Sequence, residues 1–125
     1  MNSLTQLRID VAETLSDAGL NAYAFIPDRA TPPLVGVTPY APYITDGPTF
    51  KQSTVYLTIR VINKAGSAET EDEQMEDVIC AVVAALQPFN FTINVAKPGY
   101  LTIGNADYPA CDINVSTEIN IEGGA

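Results

Sequence analysis

The stretch STVYLTIRVI, residues 53–62, has the most regular pattern of apolar and polar residues in the chain. Apolar and polar side chains alternate along it, and the apolar set is Val55, Leu57, Ile59 and Val61. A period of two is typical of a β-strand, because successive side chains point to opposite faces of a sheet. The stretch therefore predicts a strand with one face in the core and one polar face.

A second alternating segment, residues 111–121, closes the fold. Its odd-numbered residues would face the core, and its even-numbered residues, Asp112 to Asn120, would face away. Together the two strands predict an open sheet face that is polar without being strongly charged, formed by Thr54, Tyr56, Thr58, Asn114, Ser116 and Asn120. Water or another subunit could cover such a face.

Two amphipathic helices accompany these strands. The first, residues 4–18, has apolar residues at steps of three and four, which place them on one face. Ser3 and Gln6 fit a capping box at its start. Gly19 supplies the left-handed position at which helices often end.

The second helix begins at Ser67 or Thr70 and ends at Leu86. Thr70 and Glu73 fit the spacing of another capping box. Its core-facing stripe consists of Met75, Val78, Ile79, Val82 and Leu86.

Shorter extended segments and turns complete the chain. We predict strands over residues 21–26, 34–38, 89–95 and 100–103, a turn at Lys97-Pro98-Gly99, and a loose tail over residues 122–125. The order α-β-β-β-α-β-β does not alternate as in a doubly wound fold. We expect one α+β domain over residues 1–125, with a mainly antiparallel or mixed sheet and both helices packed on one face.

The segment of residues 40–52 has no helical or strand period and contains turn-forming prolines and a glycine. A connection of this length is usually functional or disordered. It holds side chains suited to a partner contact, namely Tyr40, Tyr43, Ile44, Asp46 and Phe50. The segment is predicted to be the principal contact arm. The alternative is that its aromatic side chains fold back over the core.

Composition limits the classes of function. The chain has fifteen acidic and six scattered basic residues, a net charge of −9 and no histidine. This charge argues against a protein that binds nucleic acid by neutralising phosphates, and against binding to an anionic membrane. Ser–His or Cys–His nucleophile pairs need a histidine, and no glycine-rich phosphate loop is present. We expect no catalytic, cofactor or metal site, and therefore not an enzyme.

Location and thiol state follow from similar arguments. No apolar run reaches the length of a membrane span, and the N-terminus has no signal-peptide pattern. These features predict a protein of the cytoplasm, or of a particle built there. Cys80 and Cys111 are predicted to be reduced, buried side chains.

A dense acidic group occupies the first turns of the second helix, and it consists of Glu69, Glu71, Asp72, Glu73, Glu76 and Asp77. Negative charge at a helix start is stabilised by the helix dipole, so a solvated helix start is the simplest interpretation. A surface that faces DNA without holding it is the second. A divalent-metal site is the third, and it is weak because hard cations need converging oxygens.

Several segments follow one another in a distinctive order. They are the capped first helix, Asn21-Ala-Tyr-Ala-Phe-Ile-Pro27, Thr31-Pro-Pro-Leu-Val-Gly-Val-Thr-Pro39 with Tyr43-Ile44, the long alternating strand, the acidic helix with Glu73-Gln-Met-Glu-Asp-Val-Ile79, and Gly104-Asn-Ala-Asp-Tyr-Pro-Ala110 before the last strand. In this order the chain resembles the tail terminator, or tail completion, proteins of long-tailed bacteriophages. The resemblance covers residues 4–121, and order and spacing carry it rather than any single motif.

The resemblance implies a small subunit that forms a ring, of six copies, on the upper end of the tail tube. Such a ring ends polymerisation of the tube and provides the surface that joins the head. The implied partners are further copies of the chain, the tail tube protein and a head-completion or neck protein, while DNA passes without specific binding. The implied location is the head–tail junction of the virion, after assembly in the host cytoplasm.

Two other functions fit the same residues. One is another neck or tail ring subunit, such as a head-completion or tube protein. The other is an acidic inhibitor or adaptor that masks a basic partner. A ring subunit should self-associate, whereas an adaptor should be monomeric alone and bind one basic protein.

Overall fold

The computed structural model of the chain describes residues 3–25, 33–47, 52–64, 66–89, 91–103 and 106–119. Its elements in order are α1 (Ser3–Asp17), β1 (Ala22–Tyr23), β2 (Leu34–Asp46), β3 (Ser53–Ile62), α2 (Ala68–Ala85), a 3-10 turn (Gln87–Phe89), β4 (Thr92–Ile103) and β5 (Ala106–Ile119). The predicted α+β class and the order α-β-β-β-α-β-β are confirmed.

The described strands form one five-stranded sheet in the order β1-β2-β3-β5-β4. β1 runs parallel to β2, and all other neighbours are antiparallel. β3 lies at the centre and pairs with β5 along its whole length, from Ser53 opposite Ile119 to Ile62 opposite Ala110. This central position is the physical reason that residues 53–62 alternate so regularly, because one of their faces meets the core over its full length.

Both helices pack against one face of the sheet, as the sequence predicts. The main core joins residues from α1, α2 and the three central strands: Val11, Leu15, Val37, Val55, Leu57, Ile59, Val61, Met75, Val82, Ile113 and Val115. All of these are fully buried except Met75, which is nearly so. Burial of this apolar area is the main stabilising contribution to the fold.

The ends of the helices agree only in part with the predicted caps. Gly19 follows α1 with φ of 92°, the left-handed conformation that glycine adopts most easily. Ser67 is the N-cap of α2, and its side-chain oxygen accepts a hydrogen bond of 3.3 Å from the backbone N–H of Thr70. The capping box of Thr70 with Glu73 is therefore wrong, because Thr70 already lies inside the helix.

The largest difference from the sequence-based expectation concerns residues 40–52, whose composition predicts a loop. β2 continues through this segment as far as Asp46, with a shift in register between Pro39 and Ile44. Such a bulge lets an extended strand absorb a proline that cannot donate to the ladder. The hairpin then closes where the Gly47 N–H donates to the Gln52 carbonyl at 3.1 Å. A Cβ on Gly47 would lie 2.9 Å from that carbonyl group, so this position requires glycine.

The predicted turn at Lys97-Pro98-Gly99 is also wrong, because β4 passes through it without interruption. Pro98 is opposite Cys111 in the ladder, and β4 is an edge strand, where a missing backbone donor is tolerated. β5 begins at Ala106 and so is longer at its start than predicted. Residues 120–125, with the predicted tail, lie outside the described residues.

Candidate functional site: the open face and edge of the sheet

The face of the sheet that points away from the helices is polar at its centre. Thr58 donates its hydroxyl to the side-chain oxygen of Asn114 at 3.0 Å, and both side chains are buried between their strand neighbours. The hydroxyl of Thr38 donates to the backbone carbonyl of Thr58 at 3.3 Å. These hydroxyls therefore link three adjacent strands on this face, one through a side-chain oxygen and one through a backbone carbonyl.

The next row of this face carries its charges. Arg60 binds Asp112 through two parallel hydrogen bonds, Nε to Oδ1 at 2.8 Å and Nη2 to Oδ2 at 3.0 Å. This paired geometry fixes both side chains, and hydrogen bonding to Asp112 raises the pKa of Arg60. Lys97 of β4 is the register partner of Asp112 on its other side. Two cations thus flank one carboxylate near the middle of the open face.

One end of the same face is apolar, which the sequence reasoning missed. Leu34, Ile62 and Ala110 are buried there in a second, smaller cluster. Tyr23, Leu101 and Tyr108 pack against it. The signal in the sequence is the apolar residue at an even position, Ile62, in a strand whose other apolar residues are odd-numbered.

β4 forms one edge of the sheet and is exposed over residues 92–100. Among its large side chains, Ile93 and Val95 are about 40% exposed and Tyr100 is 69% exposed. No described strand pairs with its outer side, so its backbone groups are a template for pairing with another chain. Lys97 and Pro98 in its middle reduce indiscriminate pairing.

The residues predicted to form a contact arm lie in different environments. Tyr40 and Ile44 are exposed on β2, at 37% and 42%. Tyr43 packs against the main core, as the alternative interpretation expects. Asp46 ends β2, and Phe50 lies outside the described residues. Residues 40–46 of the predicted arm thus belong to strand β2, and Tyr40 and Ile44 are still exposed on it.

The acidic group on α2 is only partly as predicted. Glu69, Asp72, Glu73, Glu76 and Asp77 are exposed, but Glu71 is 8% exposed. One carboxylate oxygen of Glu71 accepts from the Gly66 N–H and the other from the Tyr100 hydroxyl, both at 3.0 Å. The hydrogen bond to Glu71 and its negative charge raise the pKa of Tyr100. Glu71 therefore links the start of α2 to the edge strand instead of being solvated.

The two cysteines are both free, but they differ in exposure. Cys111 is fully buried in β5, and this burial raises the pKa of its thiol. Cys80 is exposed on α2, so the prediction that it is buried is wrong. It falls outside the apolar stripe of that helix.

Within the described residues, no group of three or more cysteine, aspartate and glutamate side chains is placed to hold a metal ion. None of the helices described combines the length and the apolar character that a membrane crossing requires. No protein-family model matches the chain. A search of curated proteins finds no significant match either.

Proposed function

We propose that this chain is a structural subunit of a long-tailed bacteriophage. In this role it forms a ring, of six copies, that caps the tail tube, ends polymerisation of the tube and offers the surface to which the head joins. Its partners are further copies of the chain, the tube protein and a head-completion or neck protein. The role is mechanical rather than catalytic, and it belongs to the head–tail junction.

The observation that carries this proposal is that both helices pack on one face of the sheet and leave its edge strand β4 unpaired among the described residues. Both helices cover one face of the sheet, while β4 is an unpaired edge strand in the part of the chain that the structure describes, and Tyr56, Arg60 and Asp112 on the opposite face stay partly exposed. A subunit of a closed ring needs two complementary surfaces, one for each neighbour. The polar face around the Arg60–Asp112 pair and the long unpaired strand β4 supply surfaces of this kind.

The distribution of charge supports the same arrangement. The two helices carry nine acidic residues, Asp10, Glu13, Asp17 and the six of the acidic group, against the single base Arg8. The open face has Arg60 and Lys97 against Asp112 and Glu118, so its charges balance. Helices of neighbouring subunits would repel each other, whereas the open face can be covered at a lower electrostatic cost.

A complementation experiment tests the proposal. Tails assembled without the protein should be overlong and fail to join heads, and added wild-type protein should restore both properties. Val95→Glu puts a charge beside the edge of the open face at an exposed position, so it should fold normally and fail to restore joining. Glu76→Gln, an exposed change on α2, is the matched control and should restore joining. Tails of normal length that join heads without the protein would exclude this function.

The exposed acids of α2 favour one alternative of a different class, an acidic adaptor that masks a basic partner. Sedimentation of the purified protein with candidate partners separates the two functions. An adaptor gives a monomer that forms a one-to-one complex with a single basic protein, whereas a ring subunit gives a closed oligomer at the tube end.

A further inference from the structure

A cavity of about 220 Å³ lies where the first turns of α2 meet β4 and β5. Its walls include Glu71 and Asp72 of α2, Met75 one turn later, Pro98 and Tyr100 of β4, and Pro109 of β5. Two carboxylates, one aromatic ring and three apolar side chains thus line one small cleft that is open to solvent. Among the described residues, no lysine or arginine lines it.

Glu71 is the unusual member of this cavity. The residue is more than nine-tenths buried, and the described part of the chain contains no lysine or arginine paired with it. Its two hydrogen bonds, from Gly66 and Tyr100, use about half of the acceptor positions that an ionised carboxylate has. A buried charge without a counter-ion is costly, so a cation that entered the cavity would be stabilised.

Tyr100 gives the cavity an aromatic wall that is already in position. Its side chain is 69% exposed, yet its hydroxyl is held by Glu71. The carboxylates of Glu71 and Asp72 line the same space as the ring, so their negative charge favours a positive ligand there. The hydrogen bond to Glu71 restrains the ring, which lowers the entropy lost when a partner packs on it.

The apolar walls favour one type of cation. A guanidinium group is planar, weakly hydrated and able to stack on an aromatic ring while it bonds a carboxylate. A lysine ammonium or a small metal ion keeps a strong hydration shell, which Met75, Pro98 and Pro109 cannot replace.

We propose that this cavity is a binding pocket for an arginine side chain of another protein. The arginines that the structure describes are both engaged elsewhere: Arg8 donates to the carbonyl of Ala24 at 2.6 Å, and Arg60 is paired with Asp112. A partner surface that presents an arginine also complements a chain of net charge −9. The inference rests on the proposed function, because the arginine would belong to the protein that contacts the capping ring.

A peptide titration followed by NMR tests the pocket in the isolated protein. The probe is acetyl-Gly-Arg-Gly-amide, with the citrulline and lysine peptides as matched controls. The arginine peptide should shift the amide signals of Glu71, Asp72 and Tyr100 in a saturable way, the lysine peptide should bind more weakly, and the citrulline peptide should not bind. Glu71→Gln keeps an acceptor for Gly66 but removes the charge, and it should weaken binding about tenfold or more.

Two further variants separate the pocket from a general effect of charge or of misfolding. Glu76→Gln removes an exposed charge from the same helix and should change affinity by less than about twofold because solvent and salt screen it. Asp72→Asn, also at an exposed position, should weaken binding even if Glu71→Gln does not fold. Equal losses from Glu71→Gln and Glu76→Gln, or no saturable shift with the arginine peptide, would overturn the inference.

The same signals shifting when the protein alone is concentrated would identify the occupant as a second copy, which also overturns it. Ring formation is scored separately by complementation. If the protein caps tails but does not bind the arginine peptide, the binding pocket is refuted and the proposed function stands. If it binds the arginine peptide but does not cap tails, the proposed function is refuted.

Discussion

The contact between Glu71 and Tyr100 could not be predicted from the sequence. The sequence predicts that an acidic residue near the start of α2 is stabilised by the helix dipole. It does not show that Glu71 turns inward and meets a tyrosine that is 29 positions later in the chain. That contact depends on the edge strand passing beside α2, which no local pattern records.

A pH titration tests this contact, because the hydrogen bond to Glu71 raises the pKa of Tyr100 in the folded protein. A raised folded-state pKa means that the contribution to stability is present below the ordinary tyrosine value, about 10, and is lost as the pH rises through the folded-state value. Wild type should therefore be more stable than Tyr100→Phe at neutral pH, and the difference should shrink in strong alkali. Urea denaturation at several pH values measures it, and a difference independent of pH would contradict the contact.

The two cysteines give a second prediction for single residues. Cys80 is exposed and Cys111 is fully buried with a raised thiol pKa, so iodoacetamide should modify one site in the native protein and two after denaturation. Mass spectrometry with peptide mapping counts the adducts. Modification of Cys111 in the native state, or a bridge between the two thiols, would show that β5 packs differently.

Among the elements, regular periodicity predicts the position of a strand correctly, whereas proline and glycine predict turns that the structure does not have. β3 has the bounds that its alternation predicts, because both of its neighbours and the core impose that alternation. Residues 39–47 and Lys97-Pro98-Gly99 contain proline and glycine, which usually indicate turns. Here the prolines occupy a bulge in β2 and an edge strand, positions where the sheet tolerates them. Strand pairing decides such cases, and one sequence does not reveal its pairing partners.

The revised role of β2 can be tested by a pair of tyrosine substitutions. Tyr43 packs against the main core, so Tyr43→Ser should lower the free energy of unfolding by about 1 to 3 kcal/mol. Tyr40 is exposed on the same strand, and Tyr40→Ser should change it by less than about 0.5 kcal/mol. Chemical denaturation compares the two proteins. Equal and small effects would restore the prediction of a mobile contact arm.

On the scale of the whole molecule, the element order and the packing of both helices on one face follow from the sequence. The apolar end of the open face and the cavity beside Tyr100 do not, because each is assembled from segments that are far apart in the chain. The result is a subunit with an acidic helical side and an electrically balanced open side. This division is what the proposed ring would use to keep neighbours in one orientation.

The exposed acids on α2 give a prediction about the assembled ring. If they line the channel, their charge keeps DNA from adhering during passage. Reversing Glu73, Glu76 and Asp77 to lysine should leave folding largely intact, because all three are exposed, but should slow DNA ejection. Glu71 is left unchanged because it is buried. Ejection at the normal rate would place this side of the helix away from the channel.

The position of the protein in the particle distinguishes a capping ring from a tube protein. Cryo-electron microscopy of intact particles should resolve one ring of this subunit at the head–tail junction, with six copies around the axis and the open sheet face covered by a neighbour. Density for the subunit repeated along the whole tail would contradict the proposed function and identify a tube protein instead.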